Sequence, residues 1–243
     1  MKDNFSEVSN EYSRFRPGYP QELYNFLKTE IKCFERAWDC GTGNGQVAVP
    51  LSQMFRMVYA TDISTNQLQN ATPGNNIIYS RQPAEKTNFG SEMFDLVTVG
   101  QAIHWFDFDQ FYGEVNRTLK KDGSIAVMGY GLVNTDPETQ ELIHQLYYNI
   151  LDSFWDPERK FIEQKYSTIP FPFRERPVPI FNTILNWNIH QLVGYLKTWS
   201  AVQHFIKKNG YDPVQEIIPE LELSFGKGGE VTFPIFLRLG KKE

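Results

Sequence analysis

The sequence holds only two cysteines, Cys33 and Cys40. They are too few and too close together for a disulfide framework, so the expected setting is a reducing, cytoplasmic one. No run of about 18 apolar residues occurs, which excludes a membrane-spanning helix. The amino-terminal Met1-Lys2-Asp3-Asn4-Phe5-Ser6-Glu7 lacks the apolar core of a secretory signal. There is no block of Lys and Arg either. With 24 basic against 29 acidic residues and a formal net charge of -5, a nucleic-acid backbone is disfavoured as the main partner. Internal repeats, low-complexity tracts and clusters with metal-ligand spacing are also missing, so no metal is expected. Apolar material is plentiful: 41% of the residues are hydrophobic and 15% aromatic. A length of 243 residues suits one α/β domain with a decoration, or two small domains.

The chain is organised around Arg36-Ala37-Trp38-Asp39-Cys40-Gly41-Thr42-Gly43-Asn44-Gly45-Gln46. An apolar run ends in a carboxylate, three glycines follow at alternate positions, and a run that can be helical begins. A sharp turn from strand to helix needs residues that tolerate positive φ and let a ligand touch the backbone. The reading is a ligand cradle at the end of a first strand.

The pattern around it repeats β and α elements. Pro20 opens a helix carrying Leu23, Phe26, Leu27 and Ile31. After the glycines, Val47, Leu51, Met54 and Phe55 form a helical stripe that Pro50 is expected to kink. Met57 to Asp62 is a second strand, capped into a short helix by Ser64 or Thr65. Asn76–Ser80 and Phe94–Val99 are the third and fourth strands. Asp107 caps a helix with Phe108, Phe111, Tyr112, Val115 and Leu119 on its core face, and Lys120 and Lys121 favour its negative end. Ser124–Met128 is the fifth strand. Such a βα series predicts a parallel, doubly wound sheet. Beyond Tyr130 the pattern changes. A helix with an aromatic face covers Pro137–Phe154, and a proline-rich stretch over 155–180 reads as an irregular cover. Phe181–Trp187 and Glu230–Leu239 read as strands, the latter with Pro234 inside it, which predicts an edge or a bulge.

The glycine spacing departs from a dinucleotide fingerprint, which wants its third glycine where Gln46 stands. A Gly-x-x-x-x-Gly-Lys phosphate loop is absent as well. The cradle carries its own anion, Asp39, which favours a cationic or hydroxyl-bearing ligand. Asp62, at the end of the second strand, lies in the same crevice and can take both hydroxyls of a ribose. A ribose, no phosphate and a local positive charge together describe S-adenosylmethionine.

On these residues the chain resembles the class I S-adenosylmethionine-dependent methyltransferases. It is similar to their type-11 small-molecule branch, near the trans-aconitate methyltransferases. Asp39 to Gln46 resembles the family's first motif. Pro83-Ala84-Glu85, Phe94-Asp95-Leu96-Val97, Gly100 to Trp105 and Leu119 to Ser124 resemble the later ones. Tyr12 to Pro20 is similar to the segment that closes over the cofactor, and Leu192 to Gln203 resembles the trans-aconitate branch. The resemblance implies a Rossmann-like sheet of seven strands with the last one antiparallel. It implies a single methyltransferase domain over 1–243, divided into an N-terminal lid (1–30), a cofactor-binding core (34–130), a cap insertion between strands five and six (131–180) and a C-terminal part (181–243).

The resemblance also implies cofactor contacts at Tyr12, Asp39, Gly41, Thr42, Gly43, Gly45, Asp62, Ile63, Ala84, Glu85 and Gln101. The partner it implies is a small-molecule methyl acceptor, a carboxylic acid being the favoured class, bound by a monomer or homodimer. Candidate acceptor contacts are Arg14, Arg16, Tyr19, His104, Trp105 and Trp199. His104 is the candidate general base, because it is the one histidine beside the cofactor loop. Its plainer reading is a histidine that shapes the pocket wall. Arg174 and Arg176 read as surface charges, and Trp155 and Trp199 are evenly balanced between core and acceptor pocket. Two alternatives stand beside a small-molecule enzyme. One is a non-catalytic S-adenosylmethionine-binding protein on the same fold. The other is a methyltransferase acting on a macromolecule, against which the net acidity and the Gly100–Trp105 loop both count.

Overall fold

The computed structural model describes residues 15–243. The first helix, α1 (Gln21–Glu30), precedes β1 (Arg36–Cys40), α2 (Ala48–Ser52), β2 (Met57–Asp62), α3 (Thr65–Gln69) and β3 (Ile77–Arg81). Then come β4 (Phe94–Gly100), a 3-10 turn at Ile103–Trp105, α4 (Phe108–Thr118) and β5 (Leu119–Tyr130). The strands assemble in the order β3-β2-β1-β4-β5, all parallel. Between β1 and β4 the winding reverses direction. The carboxyl ends of those two strands therefore open a crevice, the place where sheets of this kind bind ligands.

The chain continues through α5 (Pro137–His144), a π-helical turn at Gln145–Ile150 and a 3-10 turn at Asp152–Phe154 to α6 (Arg159–Glu163) and β6 (Arg174–Arg176). It closes with β7 (Phe181–Trp187), α7 (Ile189–Lys197), α8 (Ser200–Asn209), α9 (Pro213–Phe225) and β8 (Gly229–Lys241). The last strand lies antiparallel between β5 on one side and β7 on the other, as the resemblance implies. The sheet has eight strands instead of seven. The additional one is β6, which pairs with the far end of β8 at Leu239–Lys241.

Both faces of the sheet are covered, and strand alternation sorts the side chains between them. Ala37, Ala126 and Met128 join α1, α2 and the C-terminal helices in one apolar cluster. Trp38, Val97, Ile125 and Val127 join Phe111 and Val115 of α4 in the other. Phe111 and Tyr112 are buried there, as their helical spacing predicts. The insertion after β5 contributes to both clusters. Leu146, Tyr147 and Leu151 pack into the first, and Ile162, Tyr166 and Ile169 into the second. The chain between them, Trp155 to Arg159, thus passes from one face of the sheet to the other.

Pro50 stands in the first turn of a helix that begins at Ala48, and the bond it lacks falls between Val49 N–Gly45 O at 3.0 Å and Leu51 N–Val47 O at 3.2 Å. Two local expectations change. Pro234 is neither at an edge nor in a bulge. Its carbonyl accepts from Gly131 N at 2.9 Å, so the absent N–H faces the side on which β5 has just ended at Tyr130. Lys120 serves Asp95 rather than the end of α4. Its Nζ lies 2.7 Å from a carboxylate that also accepts from Glu35 N and Arg36 N, which ties β5 to the entrance of β1. Among the described residues, no helix is long and apolar enough to cross a membrane.

Candidate active site

A cleft of about 840 Å³, counting its open mouth, lies at the carboxyl ends of β1, β2, β4 and β5. From the turn after β1 come Asp39, Gly41, Thr42, Gly43, Asn44, Gln46 and Val47. Gly41 (φ +68°) and Gly43 (φ +56°) take the left-handed conformation that this turn requires. A Cβ on Gly41 would stand 2.7 Å from the Ala102 Cβ, so the turn and the loop after β4 approach closely only because that atom is missing.

Asp39 is buried at the floor of the cleft. Thr42 Oγ1 donates to one of its carboxylate oxygens at 2.5 Å, and Thr98 Oγ1 to the other at 2.8 Å. Burial raises its carboxyl to about 6, with the charge of Asp62 adding to the effect and the two threonine hydroxyls opposing it. Asp62 is held by the backbone. Gly43 N donates to its Oδ2 at 2.8 Å and Ser64 N to its Oδ1 at 2.9 Å. Ser64 also caps α3 by accepting from Gln67 N. The Oε1 of Gln67 is buried, lines the cleft and accepts no hydrogen bond from any described residue.

Two carboxylates line this cleft, and no Lys, Arg or His does among the described residues. That chemistry suits a ligand with a positive charge and hydroxyl or amino donors, and it is unsuited to a phosphate. The orphaned Gln67 oxygen and the buried, costly Asp39 charge fit an aminoacyl-sulfonium nucleoside, S-adenosylmethionine.

A second pocket of about 460 Å³ adjoins the first. Gln101 and Trp105 line both. The remaining walls are Arg16, His104, Trp155, Asp156, Arg159, Ile162 and Ser200. Gln101 occupies the left-handed region (φ +52°), which is costly for a residue with a side chain. Its N donates to Met128 O at 2.9 Å and its Nε2 to Tyr130 O at 3.1 Å, which holds it at the junction. His104 is 6% exposed, with Nδ1 at 2.9 Å from Tyr166 Oη. Burial, aided by the Arg159 charge, lowers its pKa to about 3, so the imidazole is neutral at physiological pH.

A methyltransferase-domain family description matches residues 38–127. A Dictyostelium discoideum protein named as a methyltransferase is 34% identical over 99% of this chain and 95% of its own. A solved structure from Anaeromyxobacter dehalogenans, named as a type II methyltransferase, superposes with a TM-score of 0.86 at 36% identity. It covers 93% of this chain and 98% of its own. The chain belongs to the class I S-adenosylmethionine-dependent methyltransferases. A Saccharomyces cerevisiae relative, named as an S-adenosylmethionine-dependent methyltransferase, is 28% identical over 54% of this chain and 47% of its own.

In this methyltransferase the sequence-predicted residues fall into four groups. Asp39, Gly41, Thr42, Gly43, Asp62, Ile63, Gln101 and Tyr19 line the cleft. Arg16, His104 and Trp105 line the second pocket, Trp105 and Gln101 belonging to both. Gly45, Ala84, Glu85 and Trp199 line neither. Gly45 (φ +91°) makes the turn into α2, and a Cβ there would overlap the Tyr79 hydroxyl. Ala84 is buried, and Glu85 accepts from Asp107 N at 3.2 Å, at the start of α4. Trp199 is 1% exposed among Tyr147, Trp155 and Tyr195, so the core claims it and Trp155 is the tryptophan at the pocket. Tyr12 and Arg14 lie outside the described residues.

Sequence reasoning missed Val47, Ser64, Gln67 and Tyr130 in the cleft, and Asp156, Arg159 and Ile162 in the pocket; Asn44, Gln46, Gly100, Ala102 and Ser200 it placed only within longer motifs. Gln67 carried a usable signal, lying three residues past a cap at the end of a strand that already pointed to the site. Arg159 carried none, because nothing local says where an insertion folds back. Arg174 and Arg176 are exposed on β6, in keeping with surface charges.

Proposed function

We propose that this methyltransferase acts on a small molecule held in the second pocket, and that a carboxylate oxygen receives the methyl group. The observation that carries the reading is the pair of adjoining cavities with Gln101 and Trp105 in common. One cavity is anionic and suits the donor, and the other is aromatic and cationic. S-adenosylmethionine supplies a methyl group bonded to a sulfonium, a good leaving group. The protein's tasks are then alignment, exclusion of water and handling of the acceptor's proton.

Asp39 and the turn around Gly41 and Gly43 hold the aminoacyl end of the donor, and Asp62 its ribose hydroxyls. Ile63 offers an apolar face to the base, and Gln67 Oε1 accepts one further hydrogen bond. Gln101, Trp105 and Tyr19 fix the boundary across which the methyl group passes. His104 contributes a neutral hydrogen-bonding face. With a pKa of about 3 it is too weak to take a proton from a phenol or an ammonium group, which favours an acceptor that arrives already ionised. The chain works as a single domain in which residues 131–180 cover the acceptor. The resemblance to the trans-aconitate branch supports the same acid chemistry.

Calorimetry with S-adenosylhomocysteine, followed by a homocysteine-release assay over carboxylic acids, phenols and amines, tests this. The expected result is donor-product binding that Asp62→Asn weakens, and turnover confined to acids. Turnover of phenols or amines without acids overturns the acceptor assignment.

A further inference from the structure

We infer that Arg159, delivered by the insertion after β5, is the residue that selects the acceptor. It binds the carboxylate of a small acid whose flat apolar body lies against Trp105 and Trp155. The inference rests on the methyltransferase reading of the site and assigns its substrate class to a particular side chain.

Leu151 packs on one face of the sheet and Ile162 on the other. The stretch between them crosses the site, and Arg159 stands one turn before Ile162. The head of Arg159 is fixed in two ways. Its Nε donates to Tyr147 Oη at 2.7 Å, and Tyr147 in turn donates to Glu163. Its guanidinium centre lies 4.7 Å from the Trp155 ring centroid and 5.2 Å from that of Tyr147. Stacking of this kind orients the planar fork without neutralising it. Among the described residues, the two terminal nitrogens have no hydrogen-bond or ion-pair partner, although the side chain lines the pocket. A guanidinium with a fixed plane and two spare donors is matched by a carboxylate, which accepts from both.

The surroundings reinforce the sign. Arg16 lines the same pocket, its terminal nitrogens donating to the Tyr130 hydroxyl at 3.2 Å and the Thr198 carbonyl at 2.9 Å. Asp156, the one carboxylate among the described residues of the wall, has an oxygen 3.9 Å from His204 Nδ1. With His104 neutral, the described residues of the wall carry two positive charges against one negative. Trp105 and Trp155 supply the flat apolar surface, and Ile162 closes it. An amine or an ammonium acceptor would meet net repulsion here, while a carboxylate meets two guanidinium groups.

The test uses the full chain saturated with S-adenosylhomocysteine, titrated with benzoate, phenylacetate and cinnamate, and separately with their uncharged amides. The acids should bind the loaded protein and the amides should bind at least tenfold more weakly. Arg159→Gln should weaken the acids by roughly ten- to a hundredfold, the loss of one charge-assisted pair. Arg159→Lys, which keeps the charge but not the fork, should fall between wild type and Arg159→Gln. The affinity for S-adenosylhomocysteine should stay within twofold in both variants, which separates loss of the acceptor contact from general damage. The inference is overturned if the amides bind as well as the acids, if no acid binds the loaded protein, or if Arg159→Gln leaves acid binding unchanged. Failure of S-adenosylhomocysteine itself to bind the wild type would instead strike the donor-site assignment.

Discussion

Replacing Asp39 with Asn probes the most costly charge in the cleft. The carboxyl is fully buried, and its pKa stands at about 6 against an ordinary 3.8. A ligand that places its ammonium group at Asp39 prefers the ionised form, which falls from about nine-tenths of the population at pH 7 to about one-tenth at pH 5. The wild-type affinity for S-adenosylhomocysteine should therefore drop about tenfold over that interval. Binding near pH 5.5 should release about three-quarters of a proton, because the ligand selects the ionised form. Calorimetry in two buffers of different ionisation enthalpy reads both quantities.

Asp39→Asn should bind about ten- to a hundredfold more weakly at pH 7, the worth of a charge-assisted hydrogen bond, and should show no pH dependence from this site. Stability moves the other way. A carboxyl whose pKa is raised by folding leaves the folded state binding more protons than the unfolded one between about 4 and 6, so the wild type loses stability as pH rises through that window. The loss is of the order of 3 kcal/mol. Asp39→Asn should escape it, so its stability relative to wild type, read by urea unfolding, should improve from pH 4.5 to pH 7. Wild-type binding that stays constant within twofold between pH 5 and 7 would refute the placement of the ligand's positive charge at Asp39.

Four further outcomes follow from the same geometry. Gly41→Ala should lower both the melting temperature and S-adenosylhomocysteine affinity, because φ is +68° and the new Cβ would press on Ala102 at 2.7 Å; about 1–3 kcal/mol is expected in urea unfolding. Trp199→Ala should cost about 3–5 kcal/mol of stability, whereas Trp155→Ala should act mainly on the acceptor KM, a contrast that steady-state kinetics and thermal melts resolve together. Tyr24→Phe should be neutral or stabilising by up to about 1 kcal/mol, since the Tyr24 hydroxyl is buried without a hydrogen-bond partner among the described residues. His104→Gln should leave the pH profile of kcat between 6 and 8 without a lost inflection, because burial has already moved the imidazole to about 3. On stability, a histidine with a lowered pKa works against the fold as pH falls from 6.5 towards 3, and His104→Gln should relieve that loss.

Much of the donor side was legible in the chain because its signals are local. A carboxylate ending an apolar run, glycines at alternate positions and a second carboxylate one βα unit later each depend on a few neighbouring residues. The winding of a parallel sheet brings their strand ends together by a general rule. Gly45 shows the limit of this. Its spacing matches Gly41 and Gly43, yet its φ of +91° serves the entry to α2 and it does not line the cleft. Trp199 and Trp155 show another, since composition and spacing treat two nearby tryptophans alike, and only packing against Tyr147 and Tyr195 buries the first while leaving the second at the pocket.

What the sequence alone determined is the βα order, the turn chemistry of Asp39 to Gly45 and the second anion at Asp62, because period and glycine content act over short stretches of backbone. The tertiary structure decided the rest. It added β6 as an eighth strand against the far end of β8, and it shifted the ionisation of Asp39 and His104 by burying them. It also carried the insertion from one face of the sheet to the other, so that Arg159, about 120 residues further along the chain than Asp39, lines the pocket beside the donor cleft. Burial and juxtaposition depend on contacts between residues remote in sequence, and no local pattern encodes them.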